Sequence, residues 1–136
     1  MPINIRTSQD GELITISGSG EIKSDEFIEF HKELLKSPEK IATIRWILYD
    51  WADVEQARVK AETIRETALL VVKTFTRFNT KGRIAVIATK NVIYGLARMC
   101  VVYKEGTGWE MEIFRERQQA LEWLLNGLDK NKAVSG

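Results

Sequence analysis

Apolar residues along the chain fall into short alternating or continuous runs, separated by stretches where they recur every three or four positions. That is the pattern of strands interleaved with amphipathic helices. Ile3 and Ile5 alternate with Asn4 and Arg6, and Leu13-Ile14-Thr15-Ile16-Ser17 returns after the Asp10-Gly11 turn signal. This predicts an opening β-hairpin, which ends at Gly18-Ser19-Gly20. Ser24 is placed as a helix N-cap, with Asp25 and Glu26 suited to the positive end of the helix dipole. Phe27, Phe30, His31, Leu34 and Leu35 form that helix's apolar stripe, and Ser37-Pro38 stops it. Ile44-Arg45-Trp46-Ile47-Leu48-Tyr49 is almost continuously apolar, as expected of a central strand covered on both faces. Asp50-Trp51-Ala52-Asp53 reads as the loop after it.

The clearest helical signal follows. Ala57, Ala61, Ile64, Ala68, Val71, Phe75 and Phe78 recur at alternating steps of four and three. Glu55, Glu62 and Glu66 lie early in this helix and Lys73, Arg77 and Lys81 late, matching its dipole. Asp53 is its expected cap and Gly82 its close. Arg83 to Ala88 forms another short strand, and Asn91 caps a helix running to about Lys104. Gly106-Thr107-Gly108 is a turn. Trp109, Met111 and Ile113 alternate with Glu110 and Glu112, which predicts an edge strand with one wet face. A last helix holds Leu121, Leu124, Leu125 and Leu128, followed by a polar tail from Asp129 to Gly136 that is expected to fray.

The predicted order is β-β-α-β-α-β-α-β-α. Strict alternation after a hairpin implies right-handed crossovers and an α/β fold with a mostly parallel five-stranded sheet. Strand order within the sheet stays open. A length of 136 residues suits one domain, residues 1–128, with residues 129–136 as the tail.

Several local features together resemble the STAS-like (SpoIIAA-like) family, the fold of bacterial anti-sigma factor antagonists. They are the hairpin ending in Gly18-Ser19-Gly20, the apolar strand closing on Asp50, Tyr94-Gly95-Leu96-Ala97-Arg98, and Ala120-Leu121-Glu122-Trp123-Leu124. The similarity runs from residue 3 to residue 128 and is greatest to a subgroup of small bacterial proteins without an assigned activity. It implies a regulatory or binding role. The antagonists carry a phosphorylatable serine at the start of the helix after the central strand. Here the stretch from Asp50 to Arg58 contains no Ser or Thr. A phosphate switch needs a hydroxyl that gains about two negative charges, so that switch is not carried over. Thr63, further along, is not promoted in its place.

Composition removes other classes. Lys and Arg number 20 against 19 for Asp and Glu, without the basic excess that phosphate neutralisation requires, so nucleic acid is disfavoured as a partner. The longest purely apolar run, Ala68 to Val72, is far short of a bilayer span, and no apolar stretch of signal-peptide length opens the chain. A cytoplasmic, soluble protein is expected. The lone cysteine, Cys100, forbids an intrachain disulfide and agrees with a reducing compartment.

With one His and one Cys, metal sites built on those residues are excluded, and no cofactor is implied. His31 lies on an apolar stripe and is read as a structural histidine, Cys100 as a core residue. Gly18-Ser19-Gly20 lacks the lysine spacing of a phosphate loop. Asp50, Trp51, Asp53 and Glu55 form a dense polar-aromatic group at a strand's carboxyl end, where open α/β sheets bind ligands. Asp50, Trp51 and Asp53, with Arg98 as an anion partner, are the candidate ligand-binding residues, and no catalytic residue is assigned.

Three functions follow from these observations. The first is a non-catalytic regulatory or protein-interaction domain. The second is a binder of a small apolar or amphipathic molecule such as lipid, which an apolar cavity between the helices would favour. The third is an enzyme using the carboxylates near Asp50, which requires Asp50 and Asp53 to converge. A homodimer is also expected. Leu69 and Leu70 flank one helix stripe, and Val92, Met99 and Val102 turn away from another, more apolar surface than one core-facing side explains.

Overall fold

The computed structural model describes residues 2–78, 80–102 and 107–135, with side chains described as far as residue 126 in the final helix. β1 (Ile3–Thr7) and β2 (Leu13–Lys23) pair antiparallel across the Asp10-Gly11 turn. Gly11 sits at φ +77°, a left-handed conformation that glycine adopts without a Cβ penalty. Asp10 fastens the turn by accepting hydrogen bonds from the Ser8 hydroxyl and the Glu12 amide.

Two helices follow, α1 (Ser24–Leu34) and the short α2 (Pro38–Thr43). β3 (Trp46–Arg58), α3 (Ala61–Arg77), β4 (Gly82–Ile87), α4 (Asn91–Val101), β5 (Trp109–Phe114) and α5 (Arg117–Ser135) complete the order. The sheet order is β1-β2-β3-β4-β5, and every pair after the hairpin is parallel. Strands added in one direction by right-handed crossovers put α1, α3 and α4 on one face, where α3 touches both of its neighbours. α5 packs on the opposite face against β3, β4 and β5.

Pleating divides β3 between two cores. Ile47 and Trp51 join the α1–α3–α4 side with Ile16, Ile84, Phe75 and Trp109. Trp46 and Leu48 join Ala85 and Ile87 under Ala120 and Leu124 of α5.

The structure departs from the sequence expectation at several junctions. Asp50-Trp51-Ala52-Asp53 is strand, not loop, because the outer half of β2 supplies partners for it: Ser19 faces Asp53, Gly20 faces Val54 and Ile22 faces Ala57. Two register shifts, where β3 carries an extra residue opposite Ser17–Ser19 and another opposite Gly20–Glu21, let this pairing continue. Asp53 therefore caps no helix. α3 begins at Ala61 with Lys60 at the N-cap. Ser24 and Asn91 are likewise the first helical residues, with Lys23 and Lys90 before them as caps. Ser24 acts across the fold instead. Its hydroxyl accepts from the Lys60 amide and donates to the Arg58 carbonyl, tying the start of α1 to the end of β3.

α2 adds a helix that the predicted order lacks. Ser37-Pro38 does stop α1, but a proline at N1 also favours starting a helix, and Ile41 of α2 is fully buried. At the other terminus, helix continues through Ser135 instead of giving way at Asp129. Residues 128–135 contain neither Pro nor Gly. The expected helix end near Lys104 and the turn residue Gly106 lie outside the described residues.

Candidate functional site

Side chains from β3 and α1 meet beneath the helical face. Tyr49 and Trp51, two residues apart on β3, point the same way, and their rings stack with centroids 5.5 Å apart. From α1, Phe27 and the buried His31 close on them, with Phe27 4.7 Å from the His31 ring. His31 Nδ1 lies 2.8 Å from the Phe27 carbonyl oxygen, and Nε2 lies 3.0 Å from the Tyr49 hydroxyl. A carbonyl only accepts, so Nδ1 carries the proton. In the neutral imidazole, Nε2 then accepts from the Tyr49 O–H.

These residues form one wall of an apolar cavity of about 90 Å³ between the sheet and α1, α3 and α4. Ile64, Ala68 and Val71 of α3 and Ile93, Leu96 and Ala97 of α4 supply much of the remainder, and half-buried Phe27, Ala57 and Val59 reach solvent. Among the described residues, no Lys, Arg, Asp or Glu lines it. Burial pushes the Tyr49 phenol well above its ordinary value, and nearby Cys100 adds to the effect. The group therefore stays protonated.

The four sequence-predicted ligand residues do not come together. Trp51 is part of the cavity wall. Asp50 precedes it in a pleated strand and so faces the opposite side, where its carboxylate pairs with Arg117 at the start of α5 and accepts from the Ala52 amide at 3.1 Å. Asp53 and Arg98 are exposed. Asp50 thus has Arg117 as its cation, and the pair ties the start of α5 to β3. Other polar groups at the strands' carboxyl ends are joined to one another. Lys90 Nζ donates to the Val54 and Glu55 carbonyls, and Arg115 donates to Asn91 Oδ1 while lying over the Tyr94 ring. Among the described residues, no group of three His, Cys, Asp or Glu side chains is placed to hold a metal ion.

Two polar residues of the cavity are absent from the predicted ligand set. His31 is buried, as its place on an apolar stripe implies. Its partner Tyr49 is marked by the sequence only as the end of an apolar strand. The available signal is a polar group on each of two apolar surfaces, since buried polar groups need partners.

No protein-family model matches the chain, and no curated protein matches it in sequence. Solved structures share its architecture. A protein of the DUF3478 family with a SpoIIAA-like fold, from Shewanella loihica, aligns with 90% of this chain and 91% of its own at 21% identity and a TM-score of 0.53. The anti-sigma factor antagonist SpoIIAA, in its unphosphorylated form, aligns with 91% of this chain and 96% of its own at 11% identity and a TM-score of 0.59. The chain therefore has the SpoIIAA-like, or STAS-like, α/β fold. Among the described residues, no helix is long and apolar enough to cross a membrane.

Proposed function

We propose that this chain is a non-catalytic binding domain that holds a small apolar or amphipathic molecule in the cavity beneath α1, α3 and α4. The cavity itself carries the proposal: an apolar volume with one uncharged polar pair in its wall, the usual make-up of a small-molecule site. Asp50 is buried in its ion pair with Arg117 while Asp53 is exposed, which supports this reading over a carboxylate enzyme. Likeness to an anti-sigma factor antagonist supports a regulatory setting. The stretch from Asp50 to Arg58 offers no hydroxyl to phosphorylate, so occupancy of the cavity is the regulatory input in this reading.

Toluene provides the test. A ligand that binds only the folded state raises its stability by about 2.7 kcal/mol at a hundredfold excess over Kd. Toluene should raise the melting temperature of the wild type. Ala97 lines the cavity, so Ala97→Leu should fill it, fold at a cost of about 1–3 kcal/mol, and lose the toluene response. An unresponsive wild type, or an equal response in a folded Ala97→Leu variant, rejects the proposal.

A second reading has its own observation. Leu69, Val92, Met99 and Val102 are exposed on α3 and at α4, Val92 to 68% and Val102 to 64%, and Leu70 is half-buried. Val92, Met99 and Val102 recur at helical spacing along one side. We propose that this side joins two copies of the chain through α3 and α4. Light scattering at micromolar concentration should give a dimer mass that Met99→Glu lowers to that of a monomer. A monomeric wild type ends this reading.

A further inference from the structure

Among the described residues, the buried polar side-chain hydrogens of the cavity are already committed. His31 Nδ1–H is held by the Phe27 carbonyl. That leaves Nε2 as a bare acceptor, so the Tyr49 O–H points at it. Thr67 Oγ1 donates to the Thr63 carbonyl at 2.7 Å, and Cys100 Sγ lies 3.9 Å from the Leu96 carbonyl. The Trp51 indole N–H is not a buried group lacking a partner, so an acceptor atom on a ligand could only replace water there, with little net gain. What the described lining still offers in its interior is acceptor capacity, at the remaining lone pairs of Tyr49 Oη and Thr67 Oγ1. An imidazolium at His31 would reverse the polarity of the pair, but among the described residues no lining carboxylate offsets such a charge in apolar surroundings.

From this polarity we infer that the ligand is an uncharged apolar molecule carrying a hydrogen-bond donor, an alcohol or a phenol, whose hydroxyl donates to Tyr49 Oη. The inference rests on the cavity-binding proposal and names the ligand class. Size limits the body of the ligand. The cavity, at about 90 Å³, is smaller than the ~150 Å³ apolar cavity known to hold benzene. A single ring is the largest body it takes, with part of that ring in the mouth beside Phe27, Ala57 and Val59. The stacked Tyr49 and Trp51 rings give it an aromatic wall. A carboxylate is disfavoured in the interior, because among the described residues no lining cation compensates its charge.

Para-cresol and anisole make the test. They are isomers of one size, but only cresol has a donor. Titrations followed by amide NMR shifts of the intact chain should show cresol binding up to about tenfold tighter than anisole, the value of one net hydrogen bond. Anisole should match toluene, and benzoate should bind more weakly than any of the three. If toluene binds while cresol is no better than anisole, the donor assignment is wrong and the cavity reading stands. If none of the neutral compounds binds, both fall. A benzoate affinity equal to that of cresol also overturns the assignment.

An independent measurement comes from the chain's single histidine. Long-range proton–nitrogen spectra of the free protein should show His31 neutral, with Nδ1 protonated and Nε2 bare. A protonated Nε2 would reverse the pair and sink the inference.

Discussion

Replacing Phe75 with alanine is expected to destabilise the protein by about 3–5 kcal/mol, the range for deleting a buried phenylalanine side chain. Phe75 is 2% exposed, and its ring lies nearly parallel to that of Trp109 with centroids 4.6 Å apart. Its backbone belongs to the same knot. Trp109 Nε1 donates to the Thr80 carbonyl at 2.7 Å, and the Thr80 amide donates back to the Phe75 carbonyl at 3.2 Å. The end of α3, Thr80 and the start of β5 are therefore joined by this ring stacking together with the two hydrogen bonds. Domains are stable by only about 5–15 kcal/mol in all, so the loss is a large share. At roughly 3–5 °C per kcal/mol for a chain of this size, the melting temperature should fall by about 10–20 °C. Phe75→Leu should restore much of it. An unfolding free energy for Phe75→Ala, taken from urea denaturation, within about 1 kcal/mol of wild type would show that the contact does not hold this end of the sheet.

Gly82→Ala should cost about 3 kcal/mol, the upper end for overpacking. Lack of space is the cause. An added Cβ at Gly82 would stand 1.9 Å from the Arg45 carbonyl oxygen and 2.7 Å from its carbon. Both are backbone atoms, and the Arg83 amide holds the same oxygen at 3.0 Å. β4 cannot retreat without losing that bond and shifting the pairing of Trp46 with Arg83. Gly95 is the internal control. Its Cβ would meet nothing within 4 Å, so Gly95→Ala in α4 should stabilise by about 0.5–1 kcal/mol. Paired denaturation curves should show opposite signs. Equal effects at the two positions would mean that close approach to Arg45 is not what requires glycine at position 82.

Much of this architecture is legible from periodicity. The hairpin, the parallel succession and the wet face of β5 follow from alternation, because a half-buried strand must repeat every second residue. The failure between Asp50 and Lys60 has a definite origin. Ala57 and Ala61 are four apart and fit a helical stripe, but the residues that keep Ala57 in a strand are in β2, more than thirty positions earlier. Local sequence carries no record of that pairing. The site is legible only in part for the same reason. His31 can be placed on a buried face from its neighbours, whereas its meeting with Tyr49 depends on how α1 settles across β3. Asp50 stands out in the sequence as a charge at the end of an apolar run. Its partner Arg117 comes from the last helix, on the far side of the sheet, and nothing near Asp50 in sequence points there.

The sequential strand order has a consequence for synthesis. Each strand is laid beside the one made just before it, so every pairing closes across a single hairpin or crossover and no strand waits for a later one to be inserted. Short closures of this kind favour rapid folding, and a chain emerging from the ribosome can extend its sheet one strand at a time. The two faces mature at different moments. α1, α3 and α4 arrive between the strands and cover their side as it grows, but Trp46, Leu48, Ala85 and Ile87 stay uncovered until α5, the final element, has been made. Nascent chains stalled before Arg117 therefore present an aromatic and aliphatic sheet face to any chaperone nearby.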